Sequence, residues 1–320
     1  MFSIEVSKIG NYLIPQKKMT GNYDRFMFKK TTFAVFKISI TMKKHILFLI
    51  SIVLLSTMTA CGEKEATVHY ISYNIRNSRA DDGDNAWELR KSATKQMLET
   101  EQPTIFGLQE AYPEQLAYID ECCPQFSRVG VGRDDGKEEG EFMALYYRND
   151  LYRLLDSGDF WLSETPDTPT MGWDAACYRI VTWAKLKDVM TEKVFYAFNT
   201  HLDHVGQVAR EQSILLIIKR INEIVEDETL PVFLSGDFNS DVSSPIFDPL
   251  KAVMNDSRAL LPAEQWEASF NYFGKPYDGN PIIDHIFYKN AEIKDFRTLN
   301  GDYGKPFISD HYPIMAEFVF

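Results

Sequence analysis

The sequence has few of the residues that several enzyme classes require. Only four of its 320 residues are cysteine, and no CxxC spacing suggests a structural zinc site. No GxSxG motif of a serine hydrolase and no GxxxxGK[ST] phosphate-binding loop is present. We also find no internal repeat with a period of about 20 to 50 residues, which argues against solenoids and propellers.

Positive charge is scarce beyond the first segment of the chain. The first 61 residues hold nine basic and two acidic residues, so residues 62–320 carry −19 of a chain whose net charge is −12. Such an acidic surface repels polyanions, which disfavours extended contact with a nucleic-acid backbone. Nucleic acid is therefore the less favoured partner, although a bound metal ion can still hold a single phosphate.

Residues 42–61 have the pattern of an export signal. Two lysines precede the apolar run ILFLISIVLLSTM, which ends in Thr-Ala-Cys at Cys61. The run is shorter than the roughly 20 residues that span a bilayer. We predict a lipoprotein signal peptide with Cys61 acylated; the alternatives are cleavage after Ala60 and an uncleaved anchor. Met42 is a natural start, so residues 1–41 are expected to be an upstream extension absent from the made protein.

This signal predicts the location of the protein. We expect an exported protein, lipid-anchored to a membrane of the cell envelope through Cys61. Because Gly62 and not Asp follows the cysteine, the outer membrane is the expected site. Outside the cytoplasm, Cys177 could form a disulfide with Cys122 or Cys123, and free thiols are equally compatible with the sequence.

The remainder alternates strand-like and helix-like patterns. After a tether at 62–66, we predict one α/β domain over 67–320. The predicted strands are 68–75, 104–110, 142–148, 194–202, 231–238, 283–288 and 314–320. The predicted helices are 87–101, one starting at 113, 207–228 and 244–254. Two long polar loops, 130–141 and 156–175, are expected to line an opening or the surface.

Polar residues recur where the predicted strands begin or end. They are Asn74, Glu110, His201, Asp237, Asn239, Asp284, Asp310 and His311. Convergence of these groups at one sheet edge is costly unless a cation or hydrogen bonds compensate. Oxygen ligands with few soft donors favour Mg²⁺ or Mn²⁺, with Ca²⁺ also possible, over zinc. The pattern indicates a metal-dependent phosphoester hydrolase.

Six short motifs in order carry a resemblance to a known family. They are YNIR (73–76), LQE (108–110), NTHLD (199–203), GDFNS (236–240), IDHIF (283–287) and SDHYPI (309–314). Together they resemble the endonuclease/exonuclease/phosphatase superfamily across nearly all of 67–320. The resemblance implies a four-layer α/β/β/α sandwich with two central mixed β-sheets and an active site at one rim.

The resemblance also implies a role for each motif residue. Glu110 is similar to the main metal carboxylate, and Asp310 and Asn74 are expected on the metal ion or its waters. Asp237 would orient or deprotonate the attacking water. The other catalytic positions are Asn239 to hold that water or a phosphate oxygen, Asp284 to pair with His311, and His201 to donate to a phosphate oxygen.

Further residues are candidates for substrate binding. Arg76 stands where some relatives place an acid for a second metal ion, which favours a single-metal site and phosphate binding. Arg179 and Arg148 could also face the cleft. Trp173 or Trp161, in the predicted loop, could stack on a sugar or base, although packing explains at least one of them.

We therefore expect hydrolysis of a small phosphoester such as a sugar phosphate, inositol phosphate, nucleotide or lipid head group. A metal-dependent nuclease is the first alternative, and a non-catalytic lipid-anchored binding protein is the second. NTHLDHVG (199–206) also approaches the HxHxDHxG pattern of dinuclear zinc hydrolases, but Asn199 replaces the first ligand. No protein partner can be inferred.

Overall fold

The computed structural model describes residues 64–277 and 281–320. The chain divides into a unit that ends at Lys64 and a unit from Glu65 to Phe320, and the described residues belong almost wholly to the second. The predicted extension at 1–41 and the predicted signal peptide at 42–61 lie outside the described residues. In the described ranges, no helix combines the length and apolarity needed to cross a membrane.

Twelve strands and four α-helices form the described part of the chain. The strands are β1 (Thr67–Asn74), β2 (Ile105–Gln109), β3 (Phe126–Val129), β4 (Leu145–Arg148), β5 (Tyr152–Trp161), β6 (Ile180–Asp188), β7 (Val194–His201), β8 (Val232–Asp237), β9 (Asn255–Asp256), β10 (Asp284–Lys289), β11 (Glu292–Thr298) and β12 (Ile314–Val319). The α-helices are α1 (Trp87–Glu101), α2 (Pro113–Cys122), α3 (Gln207–Ile224) and α4 (Asp248–Lys251). Short 3₁₀ helices cover Gly83–Asn85, Pro245–Phe247, Ser257–Leu260, Ala263–Gln265 and Tyr272–Gly274.

The strands form two mixed sheets of six strands each. The first has the order β11-β12-β1-β2-β4-β3, and the second has the order β5-β6-β7-β8-β10-β9. Each contains one parallel pair near its centre, β1 with β2 and β7 with β8. Parallel neighbours end at the same edge, so the ends of these four central strands define one rim of the sandwich.

Three apolar clusters define the layers. One lies between the two sheets and includes Tyr70 of β1 and Phe233 of β8. A second packs the outer face of the first sheet against α1 and α2, and a third packs the outer face of the second sheet against α3. In α3, Ile214, Ile217 and Ile221 are buried, as the helical spacing of isoleucines predicts. The four-layer α/β/β/α sandwich is confirmed.

Element boundaries differ from the sequence predictions in several places. All seven predicted strands are present, but β3, β5, β6, β9 and β11 were not predicted. Residues 156–161, predicted as loop, belong to β5, and most of the predicted helix 244–254 is 3₁₀ or irregular. Ala66, predicted in the tether, is buried and exchanges backbone hydrogen bonds of 2.9 and 3.1 Å with Phe320.

Candidate active site

Side-chain alternation directs polar residues of the central strands into the space between the sheets. In β1, Tyr70 faces the inner layer, so Ser72 and Asn74 point the same way. In β8, the same relation holds between Phe233 and Asp237. Asn74 and Asp237 are the last residues of their strands, so their side chains reach the rim. The sequence Gly-Asp-Phe-Asn thus begins inside β8, and its aspartate occupies the last inward-facing position of the strand, at the rim.

A buried polar layer lies just beneath the rim. Asn199 accepts a hydrogen bond of 2.7 Å from Gln109 and one of 3.2 Å from Ser235, and it donates to the Leu108 carbonyl at 2.8 Å. A Cβ at Gly107 would come within 2.6 Å of the Asn199 amide oxygen, so this approach requires glycine. Asn199 therefore ties the two sheets together, and the zinc hydrolase alternative lacks its first ligand.

Three residues at this rim adopt a left-handed backbone. They follow β1, β2 and β8, and their φ values are 56° for Arg76, 62° for Glu110 and 46° for Asn239. Two of the turns are held by the preceding polar residue: Asn74 accepts from the Arg76 N–H at 3.0 Å, and Asp237 accepts from the Asn239 N–H at 2.9 Å. Such conformations cost on the order of 1 kcal/mol or more each for residues with a Cβ, and they concentrate at functional sites.

Asn74 bridges the two sheets at the rim. Its amide nitrogen donates to Glu110 at 3.0 Å and to Asp237 at 2.9 Å. Asn77 donates to the other Glu110 oxygen through its backbone and side-chain N–H groups, at 3.1 and 3.0 Å. Burial raises the pKa of Glu110, but these donors and the nearby cations outweigh burial, so the pKa lies below its usual value. Glu110 is therefore held as a carboxylate.

His311 and Asp284 form a buried pair. The His311 Nδ1 atom lies 2.8 Å from an Asp284 oxygen, and its Nε2 atom lies 3.7 Å from Asp237. Burial lowers the pKa of His311, but the two carboxylates outweigh it and raise the pKa to about 10. Burial raises the pKa of Asp237 to about 7, against the charge of His311. His311 is thus an imidazolium, and Asp237 can exchange a proton near neutral pH.

The hydrogen-bond network assigns a neutral tautomer to His201. The Asn239 amide nitrogen donates to the Leu202 carbonyl and to His201 Nε2, each at 2.9 Å. Burial, followed by Arg179 and Arg133, lowers the pKa of His201 well below its usual value. The proton therefore resides on Nδ1, which is buried and has no protein partner.

The rim offers a donor set suited to a hard divalent cation. Glu110 and Asp310 both line the pocket, and after burial the charge of Glu110 is a main cause of the raised pKa of Asp310. A bound cation would relieve this repulsion. Cys177 also lines the pocket, and its Sγ atom lies 3.6 Å from an Asp203 oxygen. Oxygen ligands without thiolate fit Mg²⁺, Mn²⁺ or Ca²⁺; Asn74 as a direct ligand stays a prediction, because its amide nitrogen faces Glu110.

Two of the predicted arginines line the pocket. Arg76 is paired with Asp82 at 3.0 Å and lies 3.6 Å from Asp310. Arg179 is buried, with Asp203 at 3.4 Å and His204 at 3.0 Å. Their roles in binding a phosphate remain predictions.

Arg148 and Trp173 do not line the pocket. Arg148 forms an exposed pair with Asp150 at 2.6 Å, and its N–H donates to Thr104, at the start of β2. Because β4 runs antiparallel to β2, its final residue lies at the edge opposite Glu110, so the prediction that Arg148 faces the cleft is wrong. Trp173 is half-buried and its N–H donates to Glu164. Trp161 is buried and donates to the Arg133 carbonyl at 2.7 Å, which is a packing role.

Several pocket residues were not predicted. Arg133 and Glu141 come from the loop 130–141, whose polar composition predicted a position at an opening but not which side chains enter it. Phe270, Tyr272 and Tyr277 come from the segment before β10, and the Phe270 ring lies 4.9 Å from the His311 ring. Clustered aromatics next to Gly-Lys-Pro were the available sequence signal.

These residues enclose a pocket of about 440 Å³. The order of the strands fixes its layout. The catalytic groups follow the central strands, the aromatic residues lie beside Asp310 and His311 at one end, and Arg133, Glu141 and Arg179 lie beside β4 and β6 at the other. Three cysteines of the described domain, Cys122, Cys123 and Cys177, are free thiols.

A sandwich with carboxylates, amides and an aspartate–histidine pair at one rim is the arrangement of a class of hydrolytic phosphoesterases. Residues 71–311 match the model of the endonuclease/exonuclease/phosphatase family. The chain belongs to this family, whose members act on phosphoesters.

Solved structures from Bacteroides species are similar to this chain over most of its length. A family member from Bacteroides vulgatus is 38% identical, with a TM-score of 0.74, covering 79% of this chain and 98% of its own. A family member from Bacteroides thetaiotaomicron is 35% identical, with a TM-score of 0.75 and coverages of 80% and 99%. A mannosyl-6-phosphatase from B. thetaiotaomicron VPI-5482 is 35% identical, with a TM-score of 0.73 and coverages of 79% and 100%.

Proposed function

We propose that this protein is a divalent-metal-dependent phosphatase that hydrolyses a small phosphomonoester, with sugar phosphates the favoured substrates. The main support is the pocket: side chains flank the catalytic groups at both ends, within about 440 Å³. Ligand pockets of about 300 to 1,000 Å³ suit small molecules. The similarity to a mannosyl-6-phosphatase supports the same substrate class.

The residues divide the reaction between the two sheets. Asp237 keeps lone pairs free after accepting from Asn239 and Asn74, so it can orient a water and take its proton for in-line attack on phosphorus. His311, charged and held by Asp284, stabilises the carboxylate form of Asp237 before that group takes the proton. Neutral His201 lines the pocket beside Asn239 and Asp237, where it can contact a phosphate oxygen.

Glu110 and Asp310 would hold the divalent ion, with Asn74 keeping Glu110 in position. When bound, such an ion polarises the phosphoryl group and neutralises charge on the leaving oxygen. Arg76 reaches the same region through its contact with Asp310, so it can bind a phosphate oxygen there.

The decisive experiment measures phosphate release by the purified protein from hexose 6-phosphates and from an aryl phosphate. We expect release with Mg²⁺ or Mn²⁺, loss of release with a chelator, and recovery when the metal is restored. Supercoiled DNA should stay intact at the same enzyme concentrations, because the body of the chain carries a strong negative charge. Nicking of DNA at enzyme levels that release no phosphate would favour the nuclease alternative. Absence of all turnover would favour the binding-protein alternative.

We also propose that Cys61 is lipidated and that the protein is anchored to the cell envelope, with the outer membrane as the favoured location. Its support is the pattern of residues 42–61. Labelling of the full chain with a fatty-acid analogue in growing cells should mark the wild type and not Cys61→Ala. Equal labelling of both would contradict the anchor.

A further inference from the structure

One end of the pocket carries charge that the proposed hydrolysis does not use. We call Arg133, Glu141 and Arg179 the charged end; all three line the pocket. The Phe142 N–H, next to Glu141, donates to the Ala111 carbonyl at 2.7 Å, which places this end directly beside Glu110. Neighbouring strands are about 4.8 Å apart, so the charged end begins one strand beyond the catalytic groups.

Each of the two arginines of the charged end has a hydrogen-bond donor that lacks an acceptor on the protein. Arg133 is ion-paired with Glu141 through Nη1, but its buried Nε, which lies 3.7 Å from an Asp134 oxygen, has no hydrogen-bond partner. Arg179 binds Asp203 and His204, yet its Nη1 is buried and also without a partner. Unpaired buried donors are rare in proteins, so each of these two nitrogen atoms lacks an acceptor that a ligand oxygen or a water molecule can supply.

The same end also holds an acceptor. Glu141 is almost fully buried and uses one carboxylate oxygen for Arg133. An occupant must therefore accept from two guanidinium groups and sit beside a carboxylate without repulsion. A neutral hydroxyl group does both, because its oxygen accepts while its O–H donates. A second phosphate would meet Glu141, and an apolar group would leave the arginines unpaired.

We infer that the charged end is a hydroxyl-recognition subsite for the ring of a hexose, with Glu141 as the residue that selects a neutral polyol over a leaving group bearing a second anion. The inference rests on the proposed phosphatase function. It names the residues that recognise the alcohol part of the substrate. Arg133 and Arg179 donate to ring hydroxyls, and Glu141 accepts from one of them.

Specificity ratios test this subsite. Glu141→Gln removes the negative charge and retains the size of the side chain. Arg133→Gln removes the positive charge and retains part of the polarity of the side chain. We expect kcat/KM for a hexose 6-phosphate, relative to an aryl phosphate that lacks hydroxyls, to fall about tenfold or more in each variant, chiefly through KM. In Glu141→Gln, the preference for hexose 6-phosphate over hexose 1,6-bisphosphate should also shrink. Arg148→Gln, the matched control at the opposite edge, should keep the wild-type ratios.

A measurement on the wild type guards against misfolded variants. Free hexose should inhibit aryl phosphate turnover competitively, because it occupies the charged end without the phosphate. Unchanged ratios in both variants, or wild-type turnover of aryl phosphate that excess hexose leaves unaffected, would overturn the subsite while leaving the phosphatase intact. If the wild type hydrolyses neither the hexose phosphate nor the aryl phosphate with metal present, the proposed function fails and the subsite fails with it.

Discussion

The layer between the two sheets has two ends. The same faces of the strands carry different kinds of residues at each end. Toward one edge, these faces carry Val68, Phe195 and Phe233, which are fully buried between the two sheets. At the rim, the same faces of β1 and β8 carry Asn74 and Asp237. Between the two ends lies the hydrogen-bonded polar layer around Asn199. One set of strands thus changes from hydrophobic core to reactive rim within a few residues.

The two ends make opposite contributions to stability. The apolar end removes large side chains from water and stabilises the fold. The rim contains a buried carboxylate whose pKa is about 7, a histidine whose pKa is lowered by burial, and three left-handed residues. Each of these features costs free energy, so the rim is maintained by the rest of the sandwich. Substitutions at the two ends should therefore separate activity from stability.

The largest expected effect is that of Asp237→Asn. Loss of the base should lower kcat/KM by about 10² to 10⁴, measured by phosphate release. At pH 8, the free energy of unfolding of the variant should equal or exceed that of the wild type. Because the folded pKa of about 7 lies above the ordinary 3.8, ionisation of Asp237 destabilises the fold as pH rises through 7, and this penalty is absent below 3.8. Urea unfolding at pH 8 and pH 4 checks the sign; a fully active variant would remove Asp237 from the mechanism.

The converse is expected for Phe233→Ala at the apolar end. The lost ring and the remaining cavity should reduce the free energy of unfolding by about 3 to 5 kcal/mol. The kcat of the molecules that remain folded should stay close to that of the wild type, since Phe233 is four residues from the rim. Urea unfolding and turnover measured well below the midpoint test both parts. A selective loss of kcat with little loss of stability would contradict this division.

A smaller effect is expected for Asp284→Asn, which leaves the fold in place but removes the partner of His311. The pKa of His311 should fall from about 10 toward its ordinary value of 6.5, as followed by NMR titration of the metal-free protein. In the wild type, the stability that His311 contributes is complete below 6.5 and is lost as pH rises through 10, so the variant should lose this dependence. Activity should fall about 10- to 100-fold. An unshifted titration would show that Asp284 does not control His311.

The smallest effect is expected for Arg148→Gln. Its ion pair with Asp150 is exposed and lies at the edge far from Glu110. Surface pairs of this kind contribute about 0 to 1 kcal/mol, so stability and activity should both remain near wild type. A marked rise in KM would place Arg148 near the substrate after all.

Much of the fold follows from local patterns. The seven predicted strands have dense apolar runs, and their polar ends supplied the eight rim residues. Two of the strands that were not predicted lack such runs: β3 has only four residues, and the edge strand β11 reads EIKDFRT, with a single buried residue. Their pairing depends on neighbours that are distant in the sequence, which no local pattern contains.

The site was only partly predictable for a similar reason. Motif residues lie at strand ends, where alternation fixes their direction. Arg133 and Glu141 reach the pocket from a loop, whose course depends on tertiary contacts such as the hydrogen bond from Trp161. Arg148 was misplaced because the direction of β4 relative to β2 cannot be read from either strand alone.

The pairing of Ala66 with Phe320 fixes the end of the domain at which the chain enters it. β1 runs from Thr67 to the rim at Asn74, so Ala66 lies at the base of the sandwich, opposite the pocket. Under the proposed lipidation of Cys61, the chain would enter the domain at this base, at the end remote from the pocket.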